Sequence, residues 1–281
     1  MKIAMTGSNG YVGHAIKAFL VQRGHEIIEL RRIRDGEKAD TNTLRYSLGD
    51  TPNEPLLATC TALIHCAYDF SPLTWDEIQM TNVNGTEKLF SAALSQGISK
   101  LVLISSISAF DSCASFYGRA KLEMEKVTLE RGGTSIRPGL VWGDTPGGMV
   151  GTLDNLIAKL PVVPEIGGGQ EMYLAHQDDL AALIEKVLSA NAPLPSAPLL
   201  ACHAVPMNFR RILRALALKR GVRRIFVPIP WQCAWFGLKT LELIGIRLKI
   251  KSDSLISLMN PNPAPMFDMP EQLKVSFRPF Q

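Results

Sequence analysis

Three glycines spaced three apart, Gly7, Gly10 and Gly13, lie in Thr6-Gly7-Ser8-Asn9-Gly10-Tyr11-Val12-Gly13, between a short apolar run at residues 3–5 and a segment of helical period at 11–21. A strand that turns at once into a helix needs this punctuation. Gly7 permits the tight turn, Gly10 lets the backbone come close to a pyrophosphate, and Gly13 lets the helix pack on the strand. The backbone N–H groups of the turn, from Ser8 to Val12, are then aimed at phosphate. The rest of the first half repeats the alternation. Apolar runs at 26–30, 62–67, 101–106 and 134–141 are interleaved with helical segments at 78–95 and 117–130. The runs Leu101-Val102-Leu103-Ile104-Ser105 and Ala62-Leu63-Ile64-His65-Cys66-Ala67 do not alternate, as expected of strands covered on both sides. The pattern predicts an α/β chain with a doubly wound parallel sheet.

Beyond Val141 the rhythm breaks at Gly143, Pro146, Gly147 and Gly148 and again at Pro161, Pro164 and 167–169. The expected organisation is a dinucleotide-binding part at 1–145 plus about 172–203, and a smaller mixed C-terminal substrate part at about 146–171 plus 204–281. The tail predicts a helix at 208–218, a strand at 225–229, a helix at 231–244 and a Pro-rich end. It carries no chemical motif.

Composition narrows the class. A chain of 281 residues, 46% hydrophobic and 20% charged, can bury a full core without disulfides or a structural metal. A net charge of +4, with no basic run longer than a pair, gives no footprint for nucleic acid. Five scattered cysteines, at 60, 66, 113, 202 and 233, make neither a disulfide frame nor a metal site and suit a reducing cytoplasm. The N-terminal apolar run is too short for a signal peptide. The most apolar later stretch, 225–246, contains Pro228, Pro230, Lys239 and Glu242, which are costly in a bilayer core. A membrane is therefore not an expected partner, the minor reading being an interfacial helix there with Arg247, Lys249 and Lys251 behind it.

Candidate chemistry gathers at three places. Tyr117 and Lys121 are four residues apart on one helical face, so an ammonium can lower the phenol pKa and let it exchange a proton. Ser105-Ser106 ends a strand at the sheet edge where such folds put ligands, and a hydroxyl there can hold a substrate oxygen. Asn82 falls on an otherwise apolar helix stripe and needs a polar partner, either in the catalytic machinery or in a helix-to-strand hydrogen bond. The second strand ends in Glu29-Leu30-Arg31-Arg32. Guanidinium groups suit the 2′-phosphate of NADP, although Glu29 leaves NAD open.

The strings TGSNGYVG at 6, IHCA at 64, NVNGT at 82, LISS at 103, YGRAK at 117, RPGLVWG at 137 and HQDDLA at 176 occur in an order that resembles the extended short-chain dehydrogenase/reductases, the NAD-dependent epimerase/dehydratase family. The resemblance spans residues 1 to about 185. It implies a Rossmann fold, Tyr117 as general acid/base, Lys121 on the nicotinamide ribose, Ser106 orienting the reacting oxygen and Asn82 supporting a proton relay. It further implies adenine contact by Asp50, nicotinamide-ribose contacts by Cys66, Ala67 and Tyr68, and carboxamide contacts by Pro138 to Val141. Sugar-nucleotide members usually carry an Arg shortly before the HxxD segment. Here the stretch is Gln170-Glu171-Met172-Tyr173, and Glu171 would repel a diphosphate. The expected function is an NADP-dependent oxidoreductase working on a carbonyl or secondary alcohol. Phe110 and Trp142 are expected to line the substrate pocket. A sugar-nucleotide epimerase or dehydratase is the alternative, and a non-catalytic dinucleotide sensor a third. The expected partner is a small-molecule substrate, with a homodimer left open.

Overall fold

The structure, a computed structural model, describes residues 1–33, 36, 40–52, 55–192, 194–246 and 250–280. Arg247 and Lys249, expected behind an interfacial helix, lie outside these. Seven strands form the central sheet: β1 (Lys2–Thr6), β2 (Glu26–Arg31), β3 (Thr43–Arg45), β4 (Ala62–His65), β5 (Lys100–Ile104), β6 (Thr134–Pro138) and β11 (Leu199–Ala201). Their order is β11-β6-β5-β4-β1-β2-β3, and every pair is parallel. The chain therefore leaves β1 in both directions, and the crevice beyond the C-terminal ends of β1 and β4 is the switch point where open α/β sheets take ligands.

Helices cover both faces. On one face, α1 (Tyr11–Gln22) and α6 (Gln177–Ser189) pack over Ile3, Met5, Ile64, Val102 and Ile104. On the other, α3 (Asn84–Ser95) and α4 (Phe116–Glu130) close over Ala4, Ile28, Leu63, Leu101 and Leu103. Successive strand residues point to opposite faces. The unbroken apolar runs divide accordingly between two cores.

The stretch at 134–141, expected as one strand, splits. A Cβ on Gly139 would stand 2.3 Å from the Tyr173 carbonyl oxygen, so only glycine fits at the break. It leaves β6 and continues as β7 (Leu140–Trp142), paired with β10 (Leu174–His176). The smaller part is built from α5 (Gly148–Lys159), β8 (Val162–Ile166), β9 (Glu171–Met172), β12 (Met207–Asn208), α7 (Phe209–Lys219) and β13 (Ile225–Ile229) around a third core. Helices α8 (Trp231–Leu243) and α9 (Ser252–Met259) follow. The tail does not end in the smaller part: Leu273, Val275 and Phe277 return to the core under α6, and Arg278 pairs with Asp179 at 2.6 Å.

Candidate active site

The glycine turn has the geometry its spacing requires. Gly7 sits at φ +70°, and a Cβ there would meet the Ala67 nitrogen at 2.7 Å; one on Gly13 would stand 2.1 Å from the Gly7 carbonyl oxygen. Gly10 opens α1 with no side-chain cap and no acidic residue in the first turn. Its bare N–H groups carry the positive end of the helix dipole. The loop after β7 crosses this turn, the Tyr11 hydroxyl donating to the Thr145 carbonyl at 3.3 Å. At the end of β2, burial would raise the Glu29 carboxyl, but the nearby Ser8 hydroxyl, the hydrogen bond from Lys17 and the charges of Lys17 and Arg31 hold it below the usual range. Lys17 reaches it at 2.9 Å, so Glu29 is already engaged. Arg31 is half-buried and Arg32 exposed on the adjoining edge. Asp50 is exposed and accepts from the Ser47 N–H at 2.9 Å.

Behind the turn runs a buried polar chain. Thr6 Oγ1 lies 2.6 Å from His65 Nδ1, His65 Nε2 lies 3.0 Å from Thr86 Oγ1, and Thr86 donates to the Asn82 carbonyl at 2.7 Å. Because Thr86 spends its only proton on Asn82, the network assigns the His65 proton to Nε2. Burial, reinforced by Lys121, pushes the His65 pKa down to about 3 and keeps the ring neutral. The Asn82 carboxamide receives the Asp69 N–H at 2.7 Å and donates to the Asp69 carbonyl at 3.1 Å. Asn82 lies in a π-helical turn, Gln79–Val83, between α2 (Trp75–Ile78) and α3. Its side chain thus pins the loop carrying Cys66, Ala67 and Tyr68.

The two serines at the end of β5 have separate partners. Ser105 donates to Glu125, a buried carboxylate also held by Arg137 at 2.8 and 2.6 Å, and belongs to the scaffold. Ser106 faces Tyr117. Burial pushes the Tyr117 phenol up to about 12, and a hydrogen bond with Ser106 works against that rise. Lys121 is almost fully buried, donates to the Ile104 carbonyl at 2.8 Å and lies 5.3 Å from the Tyr68 ring. Burial brings its pKa down to about 8, against the pull of Cys66 and Glu125. The Cys66 thiol is driven up to about 12 by burial and stays protonated. Tyr68 meets Tyr117 edge-on with centroids 5.0 Å apart, and Phe70 stacks on Tyr117 at 5.7 Å.

One site residue has no local signature. Asp253, on α9, accepts from the backbone N–H groups of Phe116 at 2.8 Å and Tyr117 at 3.0 Å, while Ser115 caps the same helix through the Gly118 N–H at 3.1 Å. Lys251 also donates to the Phe70 carbonyl, and Ser257 to Ser108 at 2.9 Å. The motif-free tail therefore braces the Tyr117 end of α4. A Ser-Asp pair opening an apolar helix was the available sequence signal, but its partner lies 137 residues away. Phe110 is half-buried in the turn after β5. Pro138 and Val141 are buried where β6 passes into β7. Trp142, expected on the pocket wall, is buried in the third core, edge-on to His176 at 4.6 Å and Phe280 at 5.1 Å.

Several known proteins are similar to this chain. The chain is 24% identical over 262 residues to a 4-hydroxy-2-methyl-3-oxo-4-farnesyl-3,4-dihydroquinoline-1-oxide ketoreductase of Stigmatella aurantiaca, covering 83% of this chain and 78% of that protein. It is 25% identical over 234 residues to a Mycobacterium tuberculosis protein, covering 82% of this chain but spanning only 24% of that relative's length. The UDP-glucose 4-epimerase of Thermus thermophilus, solved with NAD, has the same fold, with a TM-score of 0.67, 20% identity and coverage of 92% of this chain and 97% of that one. With residues 3–196 matching its family model, the chain belongs to the NAD dependent epimerase/dehydratase family.

Proposed function

We propose that the chain is an NADP-dependent oxidoreductase that reduces a carbonyl to a secondary alcohol, with Tyr117 as proton donor. The observation that carries this reading is the pairing of Ser106 with a Tyr117 phenol that burial keeps protonated, at the C-terminal edge of β5 and beside a buried lysine. The residues fit a dinucleotide: side chains at Gly7 or Gly13 would collide with backbone, and the α1 N-terminus is left uncapped at the switch point. When bound, the nicotinamide supplies the hydride.

Ser106 Oγ orients the substrate oxygen by hydrogen bonding. Tyr117 Oη donates its proton to that oxygen as negative charge builds there. Lys121, with its pKa near 8, is a cation at neutral pH and stabilises the phenolate that donation leaves behind. Tyr68 and Phe70 shield the phenol from water. Arg31 and Arg32 supply the preference for a 2′-phosphate, since Glu29 is tied to Lys17. The relative named as a ketoreductase, matched over most of both chains, supports a ketone substrate.

The test follows absorbance at the nicotinamide band while the chain and NADPH meet a panel of ketones. Consumption of NADPH in step with alcohol formation is expected. Turnover with no net change in NADPH, as in an isomerisation or dehydration, would overturn the reading.

A further inference from the structure

The face of α4 that carries Tyr117 and Lys121 extends one turn further. Residues 117, 121 and 125 are four apart, so Tyr117, Lys121 and Glu125 stand in a row along one side of the helix. Each grips a different residue at the end of β5. Tyr117 meets the Ser106 hydroxyl, Lys121 donates to the Ile104 carbonyl at 2.8 Å, and Glu125 accepts from the Ser105 hydroxyl. Lys121 and Glu125 are only 2% and 5% exposed, and a carboxylate so deeply placed needs a partner.

Arg137 is that partner. It follows Ile136 on β6, whose carbonyl receives the Ser105 N–H at 2.7 Å, and its guanidinium forks onto the carboxylate, Nε to Oε1 at 2.8 Å and Nη2 to Oε2 at 2.6 Å. Three hydrogen bonds, one from the end of β5 and two from β6, therefore fix the Glu125 carboxylate.

The groups that face Lys121 are of unequal use to a cation. Tyr117 and Tyr68 are phenols that burial keeps protonated, and burial keeps His65 neutral. Cys66 and Glu125 both draw Lys121 toward its charged form. The thiol, pushed up to about 12, is uncharged at neutral pH, which leaves Glu125 as the anion acting on Lys121. Burial favours loss of the ammonium proton, and an opposite charge nearby retains it.

We propose that Glu125, fixed by Arg137 and Ser105, is a positioning residue whose carboxylate is the buried counter-charge that keeps Lys121 a cation beside Tyr117. What that cation does for the phenol rests on the function proposed above, whereas the charge itself rests on the geometry of α4, β5 and β6. Removing either partner of such a buried pair leaves the other charge uncompensated. The two removals act on Lys121 in opposite senses.

The test reads the Lys121 proton by carbon NMR of the full chain, isotope-labelled at lysine Cε, the Lys121 signal being the one lost in Lys121→Met. A wild-type midpoint near 8 is expected. Glu125→Gln keeps the size, removes the anion and strands the Arg137 cation, so the midpoint should move down by about one pH unit. Arg137→Gln leaves Glu125 with Lys121 as its counter-ion, and the midpoint should move up. Where a stranded charge prevents folding, Glu125→Gln/Arg137→Gln removes both partners, and its midpoint should lie below the wild-type value. The pH above which NADPH-dependent turnover falls should follow the midpoint in each variant. Loss of packing alone does not displace two midpoints in opposite directions. Unchanged midpoints, displacement of both single variants in the same direction, a double variant that titrates at the wild-type pH, or a turnover limit that stays while the midpoint moves would each overturn the proposal. Opposite displacements in a chain that consumes no NADPH with any ketone would keep Glu125 as the counter-charge and overturn instead the reading of the site as a reductase.

Discussion

The N-termini of α1 and α4 present the same physics put to opposite uses. Each leaves a set of backbone N–H groups without helical partners and carries the positive end of a dipole. At α1 no side chain among the described residues caps them: the cap is a glycine, no acid stands in the first turn, and the neighbouring Gly7 and Gly13 keep side chains out of the turn. At α4 two groups fill them, Ser115 from the adjacent position and Asp253 from another part of the chain. The vacant terminus can bind an anion. The filled one has no capacity to spare, and its use is to fix the backbone of Tyr117. A helix end serves binding or positioning according to whether the chain supplies its own anion.

If α4 is the positioned element, removing the group it positions should cost the most. Tyr117→Phe takes away one oxygen and almost no volume, so melting temperature and NADPH affinity should be preserved while turnover falls by roughly 10² to 10⁴. Steady-state rates beside a melting curve check this, and a variant turning over at the wild-type rate would reduce Tyr117 to a packing residue.

Lys121 gives the next largest effect, read as stability against pH. The unfolded chain holds this proton up to about pH 10.5 and the folded chain only up to about 8. Between those values the unfolded state binds more protons, so stability rises with pH. Below pH 8 both states are charged and the cost of burying the cation is fully present, roughly 3 kcal/mol at 1.36 kcal/mol per unit. Lys121→Met should therefore melt higher than wild type at pH 7, with the gap closing toward pH 10. Parallel melting curves across that range would mean that Lys121 is solvated.

The same contrast explains what could be read from sequence. The α1 terminus is legible because its determinants lie within Thr6 to Gly13, and strand–turn–helix is a local grammar. The doubly wound parallel sheet follows from non-alternating apolar runs interleaved with helical segments. Tyr117, Lys121 and Ser106 are legible as types at helical and strand-end positions, and the structure places Ser106 beside Tyr117. Trp142 could be placed after a strand but not given a surrounding, because an aromatic there looks the same from sequence whether it meets a pocket or a core; its contact with Phe280 joins positions far apart in the chain. The helix at 252–259 was hidden by the Pro-rich character of its surroundings. Asp253 was invisible as a cap because no periodicity relates it to Phe116.

At the vacant terminus the comparison sharpens through the adjoining arginines. Replacing Arg31 and Arg32 together with Ala should weaken NADP binding by about 1–3 kcal/mol, the range for charge-assisted hydrogen bonds, and leave NAD affinity nearly unchanged. Isothermal titration with both dinucleotides measures the difference. An equal loss for both would place the arginines outside the 2′-phosphate site.

The smallest effect should come from the filled terminus, and it is the one that distinguishes positioning from binding. Asp253→Ala removes an acceptor for two N–H groups that Ser115 does not serve, because Ser115 accepts from Gly118 while Asp253 accepts from Phe116 and Tyr117. Loss of a capping side chain costs about 1 kcal/mol, so the melting temperature should fall by only a few degrees. Asp253→Asn keeps an oxygen acceptor without the charge and should recover most of that loss. Turnover should separate from cofactor affinity: kcat falls several-fold as the Tyr117 backbone loosens, while NADPH affinity, set at α1, is unchanged. A purely structural cap predicts the other pattern, in which kcat per folded molecule stays at the wild-type value. If Asp253→Ala instead weakens NADPH binding as much as it lowers kcat, the two helix termini are parts of one site, and the division between a binding end and a positioning end fails.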